Sequence, residues 1–141
     1  MGIVPYIRPT LTVDTSRWPM VVLTYAGQPS DEQLAEHLRE IEERVLSRHE
    51  RFVQVIDQSR GQQPDPIQRA MIADHQRKMD AAYRDYCLGE VYIAPPAMRG
   101  AMVAVFWQAK PPYPYAFVEA VDEAVRWAES KMKAGTERGR S

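Results

Sequence analysis

Four short runs of apolar residues, rich in β-branched and aromatic side chains, constrain the fold of this chain more than any other feature. They cover residues 20–26, 52–57, 90–94 and 115–118, and segments long enough for helices separate them. Nearly continuous apolar runs of this length are typical of strands buried on both faces, as in parallel sheets with helical crossovers. The sequence therefore predicts an α/β domain built on a mostly parallel sheet.

The N-terminal part adds a hairpin to this sheet. Residues 10–15 alternate Leu11 and Val13 with polar residues, as a half-buried strand does, and residues 16–19 resemble a turn. The second strand, residues 20–26, is more apolar and is expected to be more central. The predicted order is β-β-α-β-α-β-α-β-α in a mixed, mostly parallel sheet with helices on both faces.

Helix starts are marked by capping signals. Ser30 and Gln33 have the spacing of a capping box, and Asp65 fits an N-cap before a proline at the first helical position. The pattern after Asp65 predicts one long helix over residues 66–86. A final amphipathic helix is expected over residues 120–132.

Residues 97–108 are ambiguous between a helix and a strand. Their valines and aromatic residues favour a strand, whereas their length and alanines allow a buried helix. Two parallel strands, at residues 90–94 and 115–118, require a crossover between them, and this run is the candidate. We therefore predict a helix, although the residue pattern alone leaves both readings open.

The size and charge of the chain limit its organisation and its partners. A chain of 141 residues suits a single domain, predicted over residues 1–133, followed by a flexible polar tail at residues 134–141. The 18 basic and 19 acidic residues give a net charge of -1. This balance provides no overall field toward nucleic acid or an anionic membrane, so neither partner is expected.

The reactive residue types suggest neither a metal site nor a cofactor. A single cysteine, Cys87, excludes an internal disulfide and fits a reducing compartment, so a soluble cytoplasmic protein is expected. His75 has no cysteine or second histidine at metal spacing, and His37 and His49 are expected at the surface. No phosphate-loop, dinucleotide or nucleophile-elbow motif is present, and no catalytic residue is predicted.

The order of elements and several residues in the C-terminal half resemble a known fold. Arg99 follows a methionine and precedes a glycine at the start of the 97–108 segment, Trp107 lies near its end, and the last helix carries Ala124 and Trp127. This pattern resembles the STAS fold of the bacterial anti-sigma-factor antagonists and their SpoIIAA-like relatives, in an uncharacterised bacterial branch. The resemblance implies a regulatory, signalling or protein-interaction domain that is not an enzyme.

The resemblance also suggests a phosphorylation site. In the antagonists, a serine, often just after an aspartate, is phosphorylated at the start of the helix that follows the third strand. Here Ser59 lies two residues after Asp57, which makes it the candidate phosphosite. The next helix is expected to begin near Asp65, several residues later than in that pattern.

A candidate binding surface follows from the parallel sheet. In open α/β sheets, ligands bind where loops leave the carboxyl ends of the strands, beside helix N-termini. The residues expected at this rim are Asp57, Gln58, Ser59, Arg60, Asp65, Pro95 and Arg99.

Three functions remain open from the sequence. The first is a STAS-like module that binds a protein partner through these loops, with a homodimer left open. The second is a carrier or sensor that holds a small apolar or anionic ligand between the loops and residues 97–108. The third is a cofactor-free enzyme using Asp57, Ser59 and Arg99. A flat exposed loop surface would favour the first, an enclosed apolar cavity the second, and convergent buried ionisable groups the third.

Overall fold

The sheet has five strands in the order β1-β2-β3-β4-β5, and the computed structural model describes residues 7–138. β1 is antiparallel to β2, and every other neighbouring pair is parallel. The strands are β1 (Thr10–Arg17), β2 (Met20–Gly27), β3 (Phe52–Gly61), β4 (Cys87–Ile93) and β5 (Tyr115–Val118). The predicted mixed, mostly parallel sheet with an N-terminal hairpin is confirmed.

Five α-helices and one short 3-10 helix connect the strands. They are α1 (Asp31–Arg44), the 3-10 helix (Leu46–Arg48), α2 (Pro66–Lys78), α3 (Asp80–Tyr86), α4 (Pro96–Gln108) and α5 (Val121–Arg138). The side chain of Ser30 accepts a hydrogen bond from the Gln33 backbone, and the Gln33 side chain accepts one from the Ser30 backbone. This reciprocal pair is the predicted capping box. Asp65 caps α2 by accepting from the backbone of Gln68 at 2.8 Å.

Residues 97–108 form a helix, as predicted from the need for a crossover. α4 begins at Pro96, where a missing N–H costs nothing because the first helical amides have no partner inside a helix. Its inward side buries Met98, Met102 and Val105 against the sheet. The apolar run that suggested a strand is thus the buried side of a crossover helix.

Two predicted boundaries are wrong around β3 and α2. β3 continues to Gly61 because β2 runs beside it, with Gly27 paired to Gly61 after a bulge, so the predicted loop at residues 58–64 begins only at residue 62. The predicted helix 66–86 is interrupted at Met79, and the new helix axis lets Tyr83 turn its ring into the core. β4 then begins directly at Cys87.

The predicted polar tail is also wrong in part, because α5 continues through Arg138. Gly135 is buried against Leu88, and its carbonyl accepts a hydrogen bond from Arg51 at 3.0 Å. These tertiary contacts stabilise the last turns of α5, residues 134–138. The rest of the predicted tail, residues 139–141, lies outside the described residues.

The sheet separates two hydrophobic cores, so helices cover both faces as predicted. Within residues 7–138, α5 covers one face, where Ala124 and Ala128 pack on Val53, Val55 and their neighbours. The helices α1 to α4 cover the other face. Because successive strand residues point to opposite faces, Gln54, Ile56 and Gln58 of β3 face the α1 to α4 side.

Close packing of α5 on the sheet predicts a large effect at one glycine. A β-carbon at Gly89 would lie 2.6 Å from Cη2 of Trp127 and 3.1 Å from the Pro114 carbonyl oxygen. Gly89→Ala is therefore expected to lower the free energy of unfolding by about 1–3 kcal/mol, the usual cost of overpacking. Urea denaturation measures this change.

The matched control is Gly100→Ala in α4. A β-carbon there meets no atom within 4 Å, so alanine should raise the free energy of unfolding by its helix propensity, about 0.5–1 kcal/mol. Equal effects of the two substitutions would contradict the placement of Trp127 over β4.

Candidate functional site

An interior cavity of about 70 Å³ lies between the sheet and the helices of the α1 to α4 side. Its floor is formed by β2, β3 and β4, and its opening is bordered by Pro29, Gln62 and Pro64 in the loops that leave β2 and β3. Met98 and Met102 of α4 close one wall. The cavity therefore opens at the carboxyl ends of β2 and β3, the edge where α/β sheets hold ligands, and its floor extends to the middle of the strands.

Strand register brings two polar residues together on the cavity floor. Gln54 of β3 is paired with Glu90 of β4, and both side chains point into the cavity. Both are buried, with relative exposures of 0% and 4%. An amide and a carboxyl group next to each other at the centre of a sheet are unusual, because central strands that are buried on both faces normally carry apolar side chains.

Several amide groups around the cavity lack protein hydrogen-bond partners. Among the described residues, no well-formed hydrogen bond reaches Nε2 or Oε1 of Gln54, Oε1 of Gln58 or Nε2 of Gln76, although the Gln54 amide lies close enough to the Tyr83 hydroxyl to oppose the rise in the pKa of that tyrosine. A buried polar group without a partner costs about 1–3 kcal/mol, and such groups are normally satisfied by protein, water or ligand. The cavity wall therefore presents hydrogen-bonding groups that water or another small molecule can satisfy.

Glu90 carries the ionisable carboxyl group of this site. The Tyr92 hydroxyl donates a hydrogen bond to its Oε1. Burial raises the pKa of Glu90 to about 7, against the opposing effect of the neighbouring Tyr113 and Tyr92 hydroxyls, of which Tyr113 donates to Gln76 at 3.3 Å. The carboxyl group is thus poised between its neutral and charged forms near neutral pH.

His75 lines the cavity from α2 and is bonded as a structural histidine. Its Nε2 lies 2.8 Å from the Tyr83 hydroxyl, and its Nδ1 lies 3.6 Å from a carboxylate oxygen of Glu42. Burial lowers the pKa of His75, although Glu42 opposes the shift. Because burial holds the pKa of His75 below its ordinary value of 6.5, the imidazole is mostly neutral at pH 7.

The seven rim residues predicted from sequence are only partly brought together. Gln58 lines the cavity, but Asp57 and Ser59 precede and follow it on the strand and lie outside the cavity wall. Oδ1 of Asp57 accepts hydrogen bonds from the Ser59 backbone at 3.0 Å and from its hydroxyl at 2.7 Å. Arg60 is exposed at the end of β3. The candidate phosphosite therefore lies on a strand, and α2 begins only at Pro66.

The other predicted rim residues hold the local backbone. Asp65 caps α2, and Pro95 is exposed at the start of α4. Arg99 donates from Nε to the Ala94 carbonyl at 3.1 Å, and its guanidinium lies 3.9 Å from Glu119. These side chains border the same edge of the sheet as the cavity but do not line it.

Sequence reasoning missed the residues that give the cavity its polarity. Gln54 interrupts the apolar run of residues 52–57, and Glu90 begins the run of residues 90–94. A lone polar residue inside a buried strand is the signal that was available, since buried polar groups are informative. The prediction for His37 is also wrong, because its side chain is buried edge-on to Tyr25 and burial lowers its pKa to about 4.

Comparison with known proteins does not place this chain in a family. No protein-family model matches it, and no curated protein is significantly similar to it in sequence. In the part of the chain that the structure describes, no three histidine, cysteine or acidic residues cluster as metal ligands. None of the helices described has both the length and the apolar character needed to cross a bilayer.

Proposed function

We propose that this chain is a binding module for a small hydrogen-bonding molecule, held in the interior cavity. The observation that carries the proposal is Gln54, which is fully buried in the cavity wall and whose amide makes no well-formed hydrogen bond among the described residues, although it interacts with the Tyr83 hydroxyl. Protein interiors retain such an amide at a cost in stability, so a function that uses it is the physical explanation.

This proposal develops the carrier or sensor, the second of the three functions left open by the sequence. Buried ionisable groups, Glu90 and His75, do converge on the cavity, but the residues expected for an enzyme, Asp57, Ser59 and Arg99, do not line it.

Gln58 from the rim and Met98 and Met102 from the 97–108 segment line the cavity together, in support of a ligand held between those two regions. The chemistry of the ligand differs from that expectation. Amide and carboxyl groups disfavour an apolar guest, and the carboxyl group of Glu90 disfavours an anionic one.

We further propose that the module is regulatory and cytoplasmic, in line with the resemblance of its element order to the STAS fold. A regulatory function is supported by a hydrogen-bonded link between the two loops at the cavity opening. Nε2 of Gln68 at the start of α2 donates to the Pro29 carbonyl at 2.9 Å and to Asp31 at 3.1 Å. A ligand at this opening would therefore act on both loops at once, on the surface that a protein partner would contact.

A ligand screen with matched variants tests the binding function. A library of small polar molecules is added to the wild type and to Gln54→Leu, and thermal unfolding is recorded. A true ligand at 100 times its Kd should stabilise the wild type by about 2.7 kcal/mol and should leave Gln54→Leu unchanged. The control is Trp107→Ser, because Trp107 is 86% exposed on α4 and does not line the cavity.

Two results of the same screen would count against a ligand in the interior cavity. Compounds that stabilise Gln54→Leu as much as the wild type would bind elsewhere on the protein. A screen in which no compound distinguishes the two proteins would remove the support for a ligand in this cavity.

A further inference from the structure

At pH 7, the described residues that line the cavity can supply a negative charge, from Glu90, but no positive charge. Within the described residues, no lysine or arginine lines the cavity, and His75 is neutral at pH 7. The titratable groups that face Glu90 from the surrounding elements are Tyr25, Tyr83, Cys87, Tyr92 and Tyr113. None of these five groups carries a positive charge in any protonation state, and His75 gains one only as the pH falls below neutral. At pH 7 and above, the ionised carboxylate therefore has no cationic partner among the described residues that line the cavity.

An unpaired carboxylate in a protein interior is costly. It either takes up a proton or is paired with a cation and further hydrogen bonds. Ion pairs with lysine and arginine are made elsewhere in this chain, mostly along helices, and none of those described reaches Glu90. A positively charged guest would supply the missing partner.

The hydrogen-bonding groups of the wall fit a guest with several N–H donors. Oε1 of Gln54 and Oε1 of Gln58 are acceptors without partners among the described residues, and both residues line the cavity with Glu90. An ammonium group has three donors and a guanidinium has five, whereas an ionised carboxylate has none. Tyr25 and Tyr92 also line the cavity and provide aromatic surface, which attracts cations.

The volume limits the part of the guest that enters. A cavity of about 70 Å³ is smaller than the roughly 150 Å³ cavity that accommodates benzene in an engineered protein. It therefore suits a head group of a few non-hydrogen atoms. The rest of a larger ligand would leave through the opening beside Gln62 and Pro64.

We infer that the cavity takes the head group of a small organic cation, a protonated amine or a guanidinium, with the Glu90 carboxylate as its ionic partner and Gln54 and Gln58 as acceptors. This inference rests on the proposed function and specifies its ligand class. Cation binding should strengthen as pH rises through the pKa of Glu90, about 7, because the ionised carboxylate is the binding form.

Calorimetric titration of the full chain tests the inference with five probes at pH 8 and pH 5.5. Ethylamine and methylguanidine are the cationic probes with N–H donors, and tetramethylammonium is a cation without them. Acetamide and acetate are the neutral and anionic probes. We expect ethylamine or methylguanidine to bind most tightly and to weaken by about 30-fold at pH 5.5, as the ionised fraction of Glu90 falls.

Glu90→Gln is the matched variant, because it keeps the shape and removes the charge. We expect it to weaken binding of the two N–H cations at pH 8 by at least about tenfold, in proportion to the lost charge pair. The pH dependence in the wild type provides a second readout that needs no substitution. Cation binding that is unchanged in both tests would overturn the inference.

The remaining outcomes separate the ligand class from the function. If acetamide binds in the wild type, fails in Gln54→Leu, and the cations do not bind, the cation inference is wrong while the binding function stands. If tetramethylammonium equals ethylamine, the acceptor contribution of Gln54 and Gln58 is wrong. If no probe binds the wild type, the inference fails, and the library screen decides the proposed function independently.

Discussion

Glu90→Gln is expected to become more stable relative to the wild type by about 3 kcal/mol as the pH rises from 4.5 to 8. The cause is the buried carboxyl group, whose pKa burial raises from 4.5 to about 7. The folded wild type then holds the proton more tightly than the unfolded chain. Its contribution to stability is fully present below pH 4.5 and is lost as the pH rises through 7.

The measurement is the free energy of unfolding in urea for both proteins at several pH values. Two buried histidines oppose this trend in the absolute curves, because burial lowers the pKa of His37 to about 4 and that of His75 as well. Their contribution is present above pH 6.5 and is lost as the pH falls. Both proteins retain these histidines, so the difference between the proteins isolates Glu90. A difference that does not change with pH would show that Glu90 is not buried as described.

Gln54→Leu is expected to raise the free energy of unfolding by about 1–3 kcal/mol. The side chain is fully buried, and neither atom of its amide makes a well-formed hydrogen bond among the described residues, although the amide interacts with the Tyr83 hydroxyl. Leucine fills similar space and removes the cost of an unsatisfied amide. A substitution that stabilises the fold and abolishes ligand binding is the signature of a residue retained for function.

Gln68→Leu is the matched control for that prediction. Gln68 is also buried, but its amide donates to Pro29 and Asp31 and accepts from Gln28. Its replacement leaves those groups without partners, so the free energy of unfolding should fall by about 1–3 kcal/mol. If Gln54→Leu destabilises the protein as much as Gln68→Leu, Gln54 has a structural hydrogen-bonding function and the functional argument fails.

The elements of this fold were predictable where a local signal exists. Ser30 and Asp65 mark helix starts by side-chain capping, and the crossover requirement identified α4. The break at Met79 and the continuation of α5 past residue 134 depend on tertiary contacts, such as Gly135 on Leu88. No local pattern in one sequence contains those contacts.

The candidate site was less predictable than the fold, for a geometric reason. Gln58 was selected as a loop residue, yet it lines the cavity because it lies on a strand with its side chain toward the α1 to α4 face. Gln54 and Glu90 become neighbours only through the register of β3 and β4. That register is set by the assembled sheet, so sequence alone could mark these residues as unusual but could not pair them.

A crystal structure of the protein with the tightest-binding probe would show where the ligand sits. We predict electron density for the probe in the interior cavity, within hydrogen-bond distance of the Gln54 amide and the Glu90 carboxyl group. Density for the probe at the protein surface, with the Gln54 amide bonded to protein groups and the cavity closed by side chains, would contradict the account.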